Sequence, residues 1–217
     1  MNADVAFRAA KHALATLLSL LALGSAAPAQ DWPRKTVRIV VPFGPGSTPD
    51  VVARLVADGL QQKYPASAFV VENKPGVSGN LGTDIVAKAT PDSSTLGVSI
   101  GGPLAINTLL LSRLPYDPRK DIKPITQLVT QPSVLAVHPA QDVNSLADLL
   151  LCFAKSRRIG ARDYPSSPQA ITALIRNDVQ IACLPAIAVT PHAATGAVKI
   201  LAVSTARRSP YLPNVQR

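Results

Sequence analysis

The sequence has few aromatic residues, few histidines and only two cysteines, and each scarcity narrows what the protein can do. Aromatic residues make up 4% of the chain, which is too little for the stacking platforms that nucleic-acid binding uses. The three histidines are far apart, and no Cys/His cluster has metal-ligand spacing. The formal net charge of +9 comes from scattered side chains. This indicates a positive electrostatic field that would attract a small anion. We therefore expect no nucleic-acid partner and no metal.

The two cysteines, Cys152 and Cys183, leave two possibilities open. In an oxidising compartment they could form one disulfide. Both also lie in apolar or strand-like stretches, where a buried free thiol is equally ordinary. The sequence does not choose between a disulfide and two free thiols.

The first 29 residues are typical of a cleavable signal peptide. Arg8 and Lys11 precede an apolar stretch at 13–24, which is followed by a small-x-small cleavage pattern at 27–29. The apolar stretch is too short to span a bilayer comfortably, and no other stretch approaches that length. We therefore expect a soluble, periplasmic mature protein that is long enough for one large or two small domains.

The remaining pattern predicts an α/β protein. Three strand–loop–helix units follow one another, with strands at 37–41, 68–72 and 95–100 and helices at 51–60, 81–89 and 104–110. Such a succession predicts a parallel sheet, with ligands bound beyond the carboxyl ends of its strands. Further strands are predicted at 125–129, 133–137, 179–184 and 198–203, and further helices at 145–153, 169–175 and 191–196.

The loop at 42–48 is the strongest candidate site. It is rich in Gly and Pro and lies between a β-branched strand and a helix whose apolar residues Val51, Val52, Leu55, Val56 and Leu60 have helical spacing. Free backbone N–H groups and the positive end of the helix dipole meet there, which favours a carboxylate or another small anion. Thr48 or Asp50 is predicted to cap the helix, with Pro49 in its first turn.

Two other functions, nucleotide binding and serine hydrolysis, have weaker support in the sequence. Pro49 stands where a dinucleotide fingerprint needs its third glycine, and the loop lacks the lysine of a phosphate-binding P-loop, so we expect no cofactor. The segment 97–101 (GVSIG) matches a nucleophile elbow, with Asp178 and His192 following in hydrolase order. A serine hydrolase using Ser99 therefore remains an alternative, although Pro103 stands where the elbow's helix should begin. We expect a protein that is not an enzyme.

Several stretches together resemble the Bug family, the extracytoplasmic solute receptors of tripartite tricarboxylate transporters. The matching segments are 39–54 (IVVPFGPGSTPDVVAR), 71–76 (VENKPG), 78–82 (SGNLG), 114–118 (LPYDP), 201–204 (LAVS) and 207–210 (RRSP). These segments are specific evidence for the resemblance, because they are numerous and occur in the same order as in the family.

The resemblance implies a periplasmic binding protein type II-like fold, with two lobes built on parallel-rich central sheets. It implies a monomer that binds a small carboxylate, delivers it to the transporter's membrane permease and performs no chemistry. The first lobe would span 30–130, and the second lobe and crossover 131–217. Carried over by position, the ligand-binding residues are Phe43, Gly44, Pro45, Gly46, Ser47, Thr48, Asp50, Ser78, Gly79, Asn80, Ser99, Gly101, Gly102, Pro103, Leu184 and Pro185.

Two departures from the family pattern concern the second lobe. Only the segment 155–167 (KSRRIGARDYPSS) intervenes where the family has a ligand loop, a helix and a strand, and the chain stops before the family's C-terminal region. We interpret these departures as an internal deletion and a truncation that leave the second lobe incomplete. Apolar faces left uncovered would weaken that lobe, so binding would be impaired. A degenerate fragment that does not take part in transport is a further alternative.

Overall fold

A computed structural model describes residues 32–33, 36–155, 160, 162–207, 209–210, 212 and 215. The chain divides into two units, residues 1–34 and 35–217, and only Trp32 and Pro33 of the first are described. The predicted signal peptide lies outside the described residues. None of the helices that the structure describes is long and apolar enough to cross a membrane.

The first sheet consists of three strands that all run in the same direction. They are β1 (Thr36–Val41), β2 (Ala68–Asn73) and β3 (Thr95–Gly97), in the order β2-β1-β3. The central strand β1 is buried along Val37, Ile39, Val40 and Val41, as expected of a parallel strand covered on both faces. The parallel sheet that the sequence predicts is confirmed.

The helices of this half are α1 (Thr48–Lys63), α2 (Asn80–Ala87), a π-helical stretch (Gly102–Ile106) and α3 (Asn107–Leu110). The predicted apolar face of α1 is partly wrong, because Val51 and Leu55 are exposed, at 45% and 66%. Ala53 and Ala57 form the buried stripe instead and pack in one cluster with Ile39 and Val41. Small side chains at i and i+4 bring the helix backbone close to the sheet.

The second sheet differs from the parallel arrangement that we expected. It consists of β4 (Ser133–Val137), β5 (Ile181–Pro185) and β6 (Lys199–Val203), in the order β5-β4-β6, and both pairs are antiparallel. Its helices are α4 (Leu146–Lys155), α5 (Ser167–Ile175) and α6 (Ala186–Ala194). β5 and β6 flank β4 on opposite sides and α6 connects them, so these two strands run parallel to each other without being paired.

The second sheet buries residues on both of its faces. Val134 and Ala136 pack with Leu174 and Val189 on one face. Val137 packs with residues of a second cluster, in which Val143, Leu149 and Leu201 are buried. These strands are therefore covered on both faces, and the expected weakening of this half stays a prediction. On α4, which precedes the unfamiliar segment, Leu150 and Leu151 are exposed at 59% and 60%.

The strand predicted at 125–129 is wrong, because this stretch has no regular secondary structure. Ile125 is 79% exposed and Val129 52%. Branched and apolar side chains favour a strand only where a neighbouring strand supplies the ladder and the packing, and none of the strands in the described ranges pairs with this stretch. The predicted helix at 191–196 begins earlier, at Ala186.

Candidate functional site

The glycine-rich loop connects the end of β1 to the first turn of α1. The N-cap is Ser47, which has an extended backbone, and not Thr48 or Asp50 as the sequence suggested. The Ser47 side chain is 3% exposed and makes no capping hydrogen bond. Within the described part of the chain its hydroxyl oxygen has no hydrogen-bond partner. A buried hydroxyl without a partner is costly, and here it lies at the positive end of a 16-residue helix.

The Asp50 carboxylate fixes the conformation of this loop through hydrogen bonds. Its side chain is 3% exposed, and Oδ2 accepts hydrogen bonds from the Gly46 N–H at 2.9 Å and from Arg54 Nε at 3.2 Å. Oδ1 accepts from Arg54 Nη2 at 3.0 Å and from Asn73 Nδ2 at 2.8 Å. Asn73 Nδ2 also donates to the Phe43 carbonyl at 2.9 Å. The carboxylate therefore fixes the loop at both ends.

The ionisation of Asp50 follows from these contacts. Burial acts to raise its pKa, but the hydrogen bonds from Arg54, Asn73 and Gly46 oppose this, and the pKa lies below its ordinary value. Asp50 is thus a buried carboxylate whose charge is already neutralised by the chain. Its geometry suits a role in positioning the loop.

The second predicted loop, Ser78 to Asn80, lies directly against the first. It contains a short 3-10 helix, Val77–Gly79, in which Ser78 has φ +53° and Gly79 φ +87°. A Cβ at Gly79 would lie 2.8 Å from Phe43 Cζ, so only glycine allows both the backbone conformation and the contact. The loop that contains Ser78 is therefore packed against the loop that contains Phe43.

The third predicted loop, Ser99 to Pro103, is tied to the second by buried polar groups. The Tyr116 hydroxyl lies 2.8 Å from the Pro103 carbonyl oxygen and 3.0 Å from Asn80 Oδ1. Asn107 Nδ2 donates to Asn80 Oδ1 at 2.7 Å and to the Ser78 carbonyl at 3.3 Å. Burial raises the pKa of Tyr116, so its hydroxyl stays protonated. Sequence reasoning did not assign roles to Tyr116 and Asn107, although Tyr116 lies within a matching segment.

The first two loops form one wall of a cleft of about 240 Å³. Its lining residues are Pro42, Phe43, Gly76, Val77, Ser78, Gly79, Asp163, Tyr164 and Pro165. The Gly44 N–H donates to the Pro165 carbonyl at 2.9 Å, and Ser78 Oγ donates to Asp163 Oδ2 at 2.5 Å. The segment 155–167, which departs from the family pattern, therefore supplies the opposite wall through Asp163, Tyr164 and Pro165.

Of the predicted ligand-binding residues, only Phe43, Ser78 and Gly79 line this cleft. Leu184 lies in β5 with its side chain in the second core, and its neighbour Pro185 pairs with Ser133. Gly101 and Gly102 have open space where a Cβ would stand. Thr48 Oγ1 lies 3.4 Å from Gln131 Oε1, in the connector between the two sheets.

Other candidate chemistries find little support in the described residues. The Ser99 hydroxyl oxygen has no hydrogen-bond partner there, so His192 does not contact it as a catalytic base must. No group of three or more His, Cys, Asp or Glu side chains in the described ranges could hold a metal. Cys152 and Cys183 are free and exposed. A more open groove of about 350 Å³ beside α5 contains none of the predicted site residues.

Comparisons with known proteins identify the family. A model of the tripartite tricarboxylate transporter family receptor (TctC) matches residues 52–164, which is more than half of the chain. A UPF0065 protein of Bordetella bronchiseptica is 36% identical, over 90% of this chain and 66% of its own length. Protein BugT of Bordetella pertussis is 30% identical, over 88% of this chain and 68% of its own. The chain thus spans about two thirds of the length of these relatives.

A solved structure shows the same fold with a ligand. The R. palustris protein Rpa4515 with adipate is 30% identical and superposes with a TM-score of 0.78, over 86% of this chain and 71% of that one. The expected α/β, periplasmic binding protein-like fold is therefore confirmed, and part of the neighbour's fold has no counterpart here. Together with the family match, these findings show that the chain belongs to the receptor family of tripartite tricarboxylate transporters, in which the Bug proteins are found.

Proposed function

We propose that this protein captures a small carboxylated solute in the cleft between the loops of the first sheet and the segment around Asp163. The observation that carries the proposal is the buried, unpartnered Ser47 hydroxyl at the N-terminus of α1. A ligand carboxylate would satisfy this hydroxyl and interact with the positive end of the helix dipole. The net positive charge of the chain would assist the approach of an anion.

The proposed ligand contacts differ in role. The Gly44 and Gly46 N–H groups already donate to Pro165 and Asp50, so the loop of Gly44, Pro45, Gly46 and Thr48 would shape the carboxylate end while the Ser47 hydroxyl supplies the hydrogen bond. Phe43 would cover the apolar part of the ligand. Ser78, Gly79 and Asn80 would form the neighbouring wall, with Ser99 and the Gly101–Pro103 turn behind it. In this proposal Asp50 shapes the loop without touching the ligand, while Leu184 and Pro185 would act only through the second sheet.

The proposed cellular role follows from family membership. A monomeric, periplasmic receptor would carry its ligand to the membrane permease of a tripartite tricarboxylate transporter and would catalyse no reaction. Adipate, which accompanies the R. palustris neighbour, is a reasonable first ligand to test. We also propose that affinity is lower than in a longer relative, because one wall of the cleft comes from a segment without family character.

Calorimetric titration of the whole chain with a series of mono- and dicarboxylates tests this function. We expect one-to-one binding of at least one carboxylate. Replacing Ser47 by Ala should weaken that binding about tenfold to a hundredfold, the range expected when a hydrogen bond to a charged group is lost. Ser112→Ala, at an exposed serine in the connector after α3, is the matched control and should leave affinity unchanged.

Two results would contradict the proposal. One is a complete absence of binding across the series while circular dichroism shows a folded chain. The other is equal loss of affinity in Ser47→Ala and Ser112→Ala, since this would locate the ligand away from the N-terminus of α1. Equilibrium ultracentrifugation of the same sample would test the monomer separately.

A further inference from the structure

The cleft already contains a carboxylate that belongs to the chain itself. Asp163 Oδ2 accepts the hydrogen bond of the Ser78 hydroxyl, and the adjacent Pro165 carbonyl accepts that of the Gly44 N–H. Both donors lie on the loops that would hold a ligand carboxylate. The segment from Asp163 to Pro165 therefore occupies donors that a second ligand carboxylate would need.

The Asp163 charge is not neutralised by its described neighbours. Among the residues that the structure describes, no Lys, Arg or His nitrogen forms an ion pair with its carboxylate. A hydroxyl donor such as Ser78 stabilises the anion by a hydrogen bond but leaves the net charge in place. Asp163 thus places a negative side chain on the wall of the cleft, while the proposed function assigns the ligand carboxylate to the electropositive N-terminus of α1.

These two ends favour different chemical groups. A carboxylate at the N-terminus of α1 is stabilised by the helix dipole and by the free Ser47 hydroxyl. A second carboxylate on the same ligand would compete with Asp163 for Ser78 and would be repelled by it, whereas an ammonium group would be attracted. Asp163 and Ser78 are both exposed, so water partly screens this attraction.

We propose that Asp163 is a specificity-determining residue that directs the cleft towards amino-carboxylates, with a carboxylate at one end and an ammonium group at the other, and against dicarboxylates. This inference rests on the proposed carboxylate-binding function and adds the class of ligand. Asp163 lies in the segment 155–167, which does not resemble the family pattern. We therefore expect this ligand preference to be particular to this chain.

A matched pair of ligands tests the proposal. Adipate and 5-aminopentanoate share a four-methylene spacer and differ only in carrying a carboxylate or an ammonium group at the second end. The whole chain should bind 5-aminopentanoate about threefold to fivefold more tightly than adipate, a factor typical of one charged contact at an exposed site. Added salt should reduce this preference, because it screens the Asp163 charge.

Asp163→Asn removes the charge but keeps an oxygen that can accept from Ser78. Adipate should gain about twofold to threefold in affinity in this variant, and 5-aminopentanoate should lose a similar factor. Asp142→Asn is the matched control, because Asp142 is exposed and has φ +47°, which asparagine tolerates. Its ligand preference should equal that of the unmodified chain.

The outcomes separate the two proposals. If either ligand binds but Asp163→Asn leaves the preference unchanged, or if the unmodified chain prefers adipate, the specificity role is refuted while carboxylate binding stands. If neither ligand nor any member of the carboxylate series binds to the folded chain, the proposed function fails and the specificity role fails with it.

Discussion

Removing the Asp50 carboxylate should destabilise the protein more than removing any exposed acidic side chain. Asp50→Ala leaves the Gly46 N–H and Asn73 Nδ2 without the acceptor that each now has at 2.9 and 2.8 Å. Two donors in partly buried hydrogen bonds that lose this charged partner cost about 3 kcal/mol together. The Arg54 side chain is 53% exposed, so it returns to water and adds little.

Urea denaturation followed by far-ultraviolet circular dichroism measures this cost. With a slope of about 2 kcal/mol per molar urea, a loss of about 3 kcal/mol lowers the midpoint by about 1.5 M. Asp58→Ala is the control, since Asp58 is exposed on the same helix α1. Alanine favours the helix there, so the change should stay within about 0.5 kcal/mol. Equal midpoints for the two variants would refute the positioning role of Asp50.

Two further predictions concern the close contact of the loops and the stability in acid. Gly79→Ala should cost about 2–4 kcal/mol, from the positive φ and the contact with Phe43, whereas Gly101→Ala, with open space at its Cβ, should be nearly neutral; similar melting temperatures would contradict this. Hydrogen bonding to Arg38 lowers the pKa of Glu72 from its ordinary 4.5 to about 2. The stabilisation from Glu72 is therefore complete above pH 4.5 and is lost as the pH falls towards 2. Glu72→Gln should flatten the pH dependence of stability in that window, and an unchanged acid-unfolding curve would exclude the assignment.

Local sequence patterns predicted the first sheet well, because each of its strands, loops and helices is specified by neighbouring residues in the chain. β1 is a β-branched run, the loop after it is rich in Gly and Pro, and each strand is followed closely by its helix. Consecutive βαβ units leave little freedom in topology. The same local reasoning misplaced the helix cap, because Ser47, Thr48 and Asp50 are all good capping residues and the backbone conformation decides among them.

The second half was predicted less well, because its arrangement depends on distant pairings. The strands at 133–137 and 198–203 were located, but periodicity contains no information on strand direction, and both pairs are antiparallel. The stretch at 125–129 has strand-like composition but no partner. The position of Asp163 in the cleft was not predicted from the sequence, because its contact with Ser78 joins residues 85 positions apart. A cap signature, Ser166 followed by Pro168, was the one local hint that a helix begins there.

That separation of 85 positions has a consequence for how the molecule folds. The strands and helices of the first sheet join near neighbours in the chain, whereas the cleft walls meet only after a long loop has closed. We expect the Ser78–Asp163 contact to be absent from the folding transition state. Asp163→Ala should then leave the refolding rate unchanged and accelerate unfolding, which stopped-flow measurements can separate. The binding cleft would be the last part of the protein to form and the first to open.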